Sequence, residues 1–194
     1  MVTTKDNLAL VVLCSTLGYS PAKSDKDSNT AVKPLTVATY NKLEAKLIEA
    51  NLAPAVFLTE KLSDIASQLG LTEKETDQIE KLLHRADKLG EELDRLAEKK
   101  IYVTGRTQEN YPAKLKAAMG KQSPIIFFYC GDTRLLDFET VAIVDSREAT
   151  DQEAEYASKH ARISAQNNRV IASGGAKGID TIAKDAALHA GARL

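Results

Sequence analysis

The sequence has only two cysteines among its 194 residues, and it has no long apolar run. Cys14 and Cys130 lie far apart and form no CxxC pair, so neither a disulfide framework nor a cysteine-based metal site is indicated. We expect two buried thiols in a reducing compartment. No segment approaches the roughly 20 apolar residues that a membrane-spanning helix needs. The chain is therefore predicted to be cytoplasmic, without membrane contact.

A strong excess of one charge is also missing. The formal net charge is −1 at pH 7, with −2 in residues 1–100 and +1 in residues 101–194. Bulk charge therefore does not indicate a nucleic-acid-binding protein. Any binding to phosphate groups requires a local cluster of cations.

Residue patterns typical of catalysis are absent as well. The three histidines, His84, His160 and His189, do not have the spacing of metal ligands. No GxSxG motif of a serine hydrolase occurs. We therefore predict no catalytic residue and no metal site, and nothing in these patterns indicates an enzyme.

Residues 1–100 have the apolar spacing of helices. A first helix is predicted in KDNLALVVLCSTLG, with Leu8, Val11 and Val12 on one side. An export signal is the alternative, but the apolar run is short and Leu13 occupies a position where cleavage needs a small residue. The segment 21–34 is rich in Ser, Asp, Lys and Asn and is a predicted loop.

A later helical segment, LTEKETDQIEKLLHRADKL, opens with Thr72 and Glu75 at the spacing of a capping box. Gly90 is predicted to divide the following apolar pattern into two helices. Ala66 and Gly70 have the spacing of a helix-turn-helix, but the next helix is acidic and would repel phosphate. We therefore favour a helical bundle over a DNA-reading unit.

Residues 101–194 predict strands instead. Four short runs rich in β-branched and aromatic residues are IYVTG, PIIFFYC, TVAIVDS and RVIAS, and a short helix is predicted from Tyr111-Pro112 toward Met119. The last two runs enclose the helical ATDQEAEYASKHARISAQNN, which predicts a right-handed βαβ unit with parallel strands. Continuous apolar runs predict strands covered on both faces. The predicted fold is α/β, with a helical domain at 1–100 and a parallel-sheet domain at 101–194.

The segment VIASGGAKGID, residues 170–180, concentrates three glycines after the last predicted strand. The ends of parallel strands share one edge of a sheet, and ligands bind at that edge in open α/β folds. Gly174 and Gly175 would allow a sharp turn that exposes main-chain N–H groups, and Gly178 would let the next helix start close to the strand. Free N–H groups at a helix start favour an anion such as phosphate.

Cations near this turn strengthen the anion hypothesis. Arg147 follows the neighbouring strand and can pair with phosphate through two parallel hydrogen bonds, and Lys177 adds a point charge. The alternative is a turn shaped by packing alone, with Asp180 as an ordinary acidic residue of a first helical turn and Lys177 as a solvated charge. The pattern is neither a Walker loop nor a dinucleotide fingerprint.

These residues together resemble the DNA-processing protein A family, also called DprA or Smf. VAIVDSREAT followed by VIASGGAKGIDTIAKDAAL is similar to the family's "IVGSR…T" and "SGxAxGIDxxAHxxAL", and ENYPAKLKAAMGKQSPIIFFYCGDTRLL is similar to its lead-in. The resemblance implies a Rossmann-like domain that binds single-stranded DNA and helps to load the RecA recombinase during natural transformation. It also implies homodimers, with no cofactor and no turnover. The residues carried over to the DNA pocket are Ser146, Arg147, Ser173, Gly174, Gly175, Gly178 and Asp180.

The sequence departs from the family pattern at three places. Asp145 replaces a glycine, which adds a carboxylate that would repel phosphate, and Lys184 replaces a histidine at a position that we interpret as structural. The chain also ends within the resembling domain: Gly191 is a predicted helix C-cap and Ala192 a predicted strand start. We therefore expect a fragment of a longer protein, or a chain that covers its open sheet edge by self-association.

Two other functions remain open from the sequence. A Rossmann-like module can sense nucleotides or small phosphorylated ligands, for example in phage defence, and Asp145 would then accept a hydrogen bond from a ribose hydroxyl. The chain can also be a paralogue that dimerises without binding DNA.

Overall fold

The computed structural model describes residues 4–18, 33–144 and 148–192. The chain divides into two compact units, Met1–Gly131 and Asp132–Leu194. The elements within the described ranges are α1 (Lys5–Cys14), α2 (Val37–Glu49), α3 (Val56–Thr59), α4 (Leu62–Gln68), α5 (Glu73–Leu83), α6 (Ala86–Glu98), β1 (Ile101–Gly105), α7 (Ala113–Met119), β2 (Ile126–Cys130), β3 (Thr140–Ala142), α8 (Asp151–Gln166), β4 (Val170–Ala172) and α9 (Ile179–His189). Most of the predicted loop at 21–34 and the end of the strand predicted from Ala192 lie outside these ranges.

Helix α1 is the centre of the first unit. The sequence predicts one buried side for it, whereas the segment from Ala9 to Leu13 is buried without interruption. The predicted first helix is confirmed, but its burial is not confined to one side, because α3, α5 and β1 all pack against it. The core of this unit is therefore built from large side chains, among them Leu10, Leu47 and Leu82.

The capping box at the start of α5 is confirmed. Thr72 Oγ1 accepts a hydrogen bond from the Glu75 N–H, and Glu75 Oε2 accepts one from the Thr72 N–H at 2.8 Å. The predicted break at Gly90 is wrong, since α6 runs through that position and the chain turns at His84–Arg85. A glycine inside a helix costs only about 1 kcal/mol and does not by itself end it.

Arg85 lies at the break between α5 and α6, and its hydrogen bonds account for the position of that break. Its guanidinium is buried and donates hydrogen bonds to the carbonyls of Val12 (2.5 Å), Ser15 (3.1 Å) and Leu17 (3.3 Å). These carbonyls lie at and just beyond the end of α1, where a helix leaves its last acceptors unsatisfied. Desolvation lowers the pKa of Arg85 from its ordinary value. The side chain thus caps α1 from the junction of α5 and α6.

Strands β1 and β2 form an antiparallel pair, with Ile101 opposite Cys130 and Gly105 opposite Ile126. Val103 and Ile126 pack against the helical core of the first unit. The compact units divide after Gly131. The domains of this chain at 1–100 and 101–194 remain a prediction.

The second unit contains the predicted βαβ arrangement. Strands β3 and β4 are parallel, with Val141 opposite Ile171, and α8 connects them. Helices α8 and α9 pack against each other through small side chains, including Ala161, Ala183 and Ala187. The α/β fold, with helices first and a partial Rossmann-like parallel sheet after them, is confirmed.

The parallel strands are covered on one face only within the described residues. Val141 and Ile171 pack toward the alanine-rich core, whereas the alternate residues Ala142 and Ala172 are exposed and Val144 is 67% exposed. The expectation of two covered faces was wrong because α8 and α9 supply only one helical layer. In the described ranges, no helix combines the length and the apolar character needed to cross a bilayer.

Candidate phosphate-binding site

The two parallel strands end side by side. The Ile143 N–H, one residue past β3, donates a hydrogen bond to the Ala172 carbonyl at the end of β4 (3.0 Å). Beyond Ala172 the chain passes through residues 173–178, here called the glycine turn, and enters α9 at Ile179. The glycine turn therefore lies at the carboxyl edge of the sheet, where open α/β folds bind ligands.

The backbone of the glycine turn leaves hydrogen-bond donors available. Gly175 and Gly178 have φ of 79° and 87°, the left-handed region that other residues rarely adopt. Among the described residues, the N–H groups of Gly174, Gly175, Lys177 and Gly178 have no hydrogen-bond acceptor. Free N–H groups at a helix start carry partial positive charge and attract anions.

The backbone N–H and the backbone carbonyl of Ala176, in the middle of the turn, are both hydrogen-bonded to side chains of α9. Its N–H donates to Asp180 Oδ2 (3.1 Å), and its carbonyl accepts from Thr181 Oγ1 (2.8 Å). A Cβ added at Gly174 would lie only 2.9 Å from Asp180 Oδ2, so the turn wraps closely over this carboxylate. Asp180 is 4% exposed. Its Oδ1 atom and the Oγ atom of Ser173, at the start of the same turn, are buried without hydrogen-bond partners. Asp180 therefore shapes the turn from beneath.

Lys184 brings a positive charge to the same place. A Cβ added at Gly175 would lie 3.2 Å from Lys184 Nζ, so the ammonium group lies against the turn. None of the described carboxylates lies within ion-pair distance of it. Lys184 is not among the predicted site residues, because its position in the sequence pattern was interpreted as structural. Its place beside the turn could have been predicted from the spacing, because Asp180 and Lys184 are four residues apart and therefore lie on one face of α9.

The structure brings together the site residues predicted from the last strand onward: Ser173, Gly174, Gly175, Lys177, Gly178 and Asp180. Ser146 and Arg147, with the neighbouring Asp145, lie outside the described residues. Their contribution to the site stays a prediction. In the part of the chain that is described, no group of three or more His, Cys, Asp or Glu side chains is arranged to hold a metal ion.

The second unit is thus a Rossmann-like α/β domain whose glycine turn presents free N–H groups and a lysine at the sheet edge, a geometry that can attract an anion. Residues 102–194, just under half of the chain, match the family described as "DNA recombination-mediator protein A".

Two relatives extend this comparison. The chain is 44% identical to "DNA processing protein DprA" of Streptococcus pneumoniae over 71 residues, which are 37% of this chain and 25% of that protein. It is also similar to the X-ray structure of DNA processing protein A (DprA) from Streptococcus pneumoniae, with a TM-score of 0.50 and 26% identity. That similarity covers 82% of this chain and 56% of the solved one, so the chain spans little more than half the length of that structure.

Proposed function

We propose that this chain binds single-stranded DNA through the glycine turn and acts without catalysis in DNA recombination. The observation that carries the proposal is the juxtaposition of free turn N–H groups with the Lys184 ammonium. Both attract a phosphate oxygen, and a strand of DNA offers such oxygens at every nucleotide. The match of residues 102–194 to the DNA recombination-mediator protein A family supports DNA, rather than a free anion, as the ligand.

The wider role follows from the family resemblance. We propose a cytoplasmic homodimer that delivers single-stranded DNA to the RecA recombinase during natural transformation. Ser146 and Arg147 would add to the phosphate contacts, since they follow the strand that ends beside Ala172. No cofactor is needed for this role, because binding and hand-over involve no bond-making step.

Fluorescence anisotropy with labelled oligo-dT tests the proposal. We expect binding that weakens steeply as salt rises, because phosphate contacts release counterions. Lys184→Met, which removes one charge and keeps the side-chain length, should weaken binding at all salt concentrations and reduce the log–log salt slope by about one. Arg147→Ala should have an effect of the same sign.

Lys159→Met is the matched control, since Lys159 is an exposed lysine of α8 outside the glycine turn. It should leave both affinity and salt slope unchanged. Binding that is insensitive to Lys184→Met would contradict the proposed site. Competition by ATP or a cyclic dinucleotide without any oligo-dT signal would favour the nucleotide-sensing alternative, and no signal with either ligand would favour a paralogue that only dimerises.

A further inference from the structure

A cavity of about 510 Å³ lies in the second unit, between the end of β3, the first turns of α8 and the start of α9. Its apolar lining includes Val141, Ile143, Ala157 and Ile179. Ala157 and Ile179 are almost completely buried and therefore form its inner surface. The volume is in the range of small-molecule sites, and an apolar lining with few polar groups is their usual character.

Tyr156 gives this cavity an aromatic wall. The ring lines the cavity and is 66% exposed, although tyrosine normally buries most of its ring. The His160 ring lies one helical turn later, with its centroid 4.1 Å from that of Tyr156. Both rings line the cavity, and they are tilted by 41° relative to each other. A planar, weakly polar group is the ligand that such a wall suits.

The polar groups of the cavity select against phosphate. The Glu153 carboxylate lines it, and hydrogen bonds from the Thr150 backbone and side chain lower the pKa of this carboxyl from its ordinary value, so that it carries a negative charge at neutral pH as glutamate normally does. Gln152 also lines it and makes no hydrogen bond with any described residue, so its amide is free to donate and to accept. A free glutamine amide matches the donor and acceptor edge of a nucleobase.

The cavity adjoins the glycine turn. Ile179, which lines it, directly follows Gly178 in the chain and is the first residue of α9. A phosphate at the turn and a planar group in the cavity would therefore be neighbours. The two places carry opposite charges: the Lys184 ammonium lies at the turn, and the Glu153 carboxylate lines the cavity.

We propose that this cavity receives one nucleobase of the bound strand, stacked on Tyr156 and hydrogen-bonded by Gln152, while the adjoining phosphate lies on the glycine turn. This inference rests on the proposed function and adds a base subsite to it. The subsite makes the protein select nucleic acid with intact bases over a bare sugar-phosphate chain.

The test compares labelled oligo-dT with an abasic oligonucleotide of the same length at one salt concentration. The wild-type chain should bind oligo-dT about tenfold more tightly, since stacking one base on an aromatic ring contributes a factor of roughly five to a hundred. Tyr156→Ala should remove this preference by weakening oligo-dT binding and leaving abasic binding unchanged. Tyr156→Phe keeps the ring and should bind like the wild type.

Ile163→Ala is the control, because Ile163 is an exposed apolar residue of α8, 44% exposed, that does not line the cavity. It should leave both affinities unchanged. Equal affinity for the two oligonucleotides, or oligo-dT binding unaffected by Tyr156→Ala, would overturn the base subsite and leave the phosphate site intact. Absence of binding to both would refute the proposed function itself. If Tyr156→Ala instead dissociates a dimer in sedimentation experiments, the cavity is a contact between copies and the inference fails.

Discussion

Single residues of the same type behave differently according to burial, and the two cysteines show this. Burial raises the pKa of the Cys14 thiol to about 12, whereas Cys130 is exposed. The expectation of two buried thiols was therefore wrong for Cys130, which ends β2 at the margin of a two-stranded sheet, and Cys14 is partly buried. At about pH 8.5, where an ordinary thiol is half ionised, Cys14 stays protonated.

Alkylation should consequently distinguish the two thiols. Iodoacetamide reacts with thiolates, so we expect modification of Cys130 and protection of Cys14 in the native protein. Peptide mapping by mass spectrometry measures both sites. Both should react in concentrated guanidinium, which serves as the control, and equal labelling of the native protein would show that α1 is not buried as described.

At the scale of elements, Arg85 connects helices that are distant in sequence. Arg85→Met would leave the carbonyls of Val12, Ser15 and Leu17 without a donor, and we expect the free energy of unfolding to fall by about 2–4 kcal/mol. Urea unfolding followed by circular dichroism measures this. Arg95→Met removes an exposed arginine of α6 that pairs with Glu92 and should change stability by less than about 0.5 kcal/mol. Similar losses for both variants would contradict the capping role.

Elements could be predicted where the signal is local in the chain. The Thr72–Glu75 capping box and the parallel pairing around α8 follow from short spacings, and both are confirmed. The helix break at Arg85 could not be predicted, because its acceptors belong to α1. The position of Lys184 against the turn depends on the left-handed backbone at Gly175, which a residue pattern does not determine. The glycine turn was therefore predictable as a segment, and its charged surroundings were not.

At the scale of the whole molecule, the two units have cores of different quality. The first unit buries large side chains such as Leu10, Tyr40 and Leu82, whereas the second relies on Ile171 and a set of alanines. Stabilisation by burial scales with the apolar area removed from water, and alanine contributes the least of the apolar side chains. The second unit should therefore be the less stable of the two.

Hydrogen exchange at increasing urea, read by mass spectrometry, tests this difference. Segments 151–166 and 179–189 should lose protection at lower urea than segments 5–14 and 73–83. Ile171→Ala should lower the urea concentration at which segments 151–166 and 179–189 lose protection, without affecting the other two segments. Leu82→Ala should lower it only for segments 5–14 and 73–83. A single cooperative loss of protection across all four segments would show that the units do not unfold separately.

The two hydrogen bonds that hold the backbone of Ala176 affect how fast a ligand can bind at the glycine turn. Asp180 and Thr181 hold the backbone of Ala176 through hydrogen bonds within the chain itself, so the proposed phosphate site is preorganised. Little conformational entropy is then lost on association, and encounter does not wait for a rearrangement of the backbone. Charge attraction, rather than loop closure, would limit the association rate of the proposed DNA ligand. Lowering the salt concentration would therefore raise the association rate.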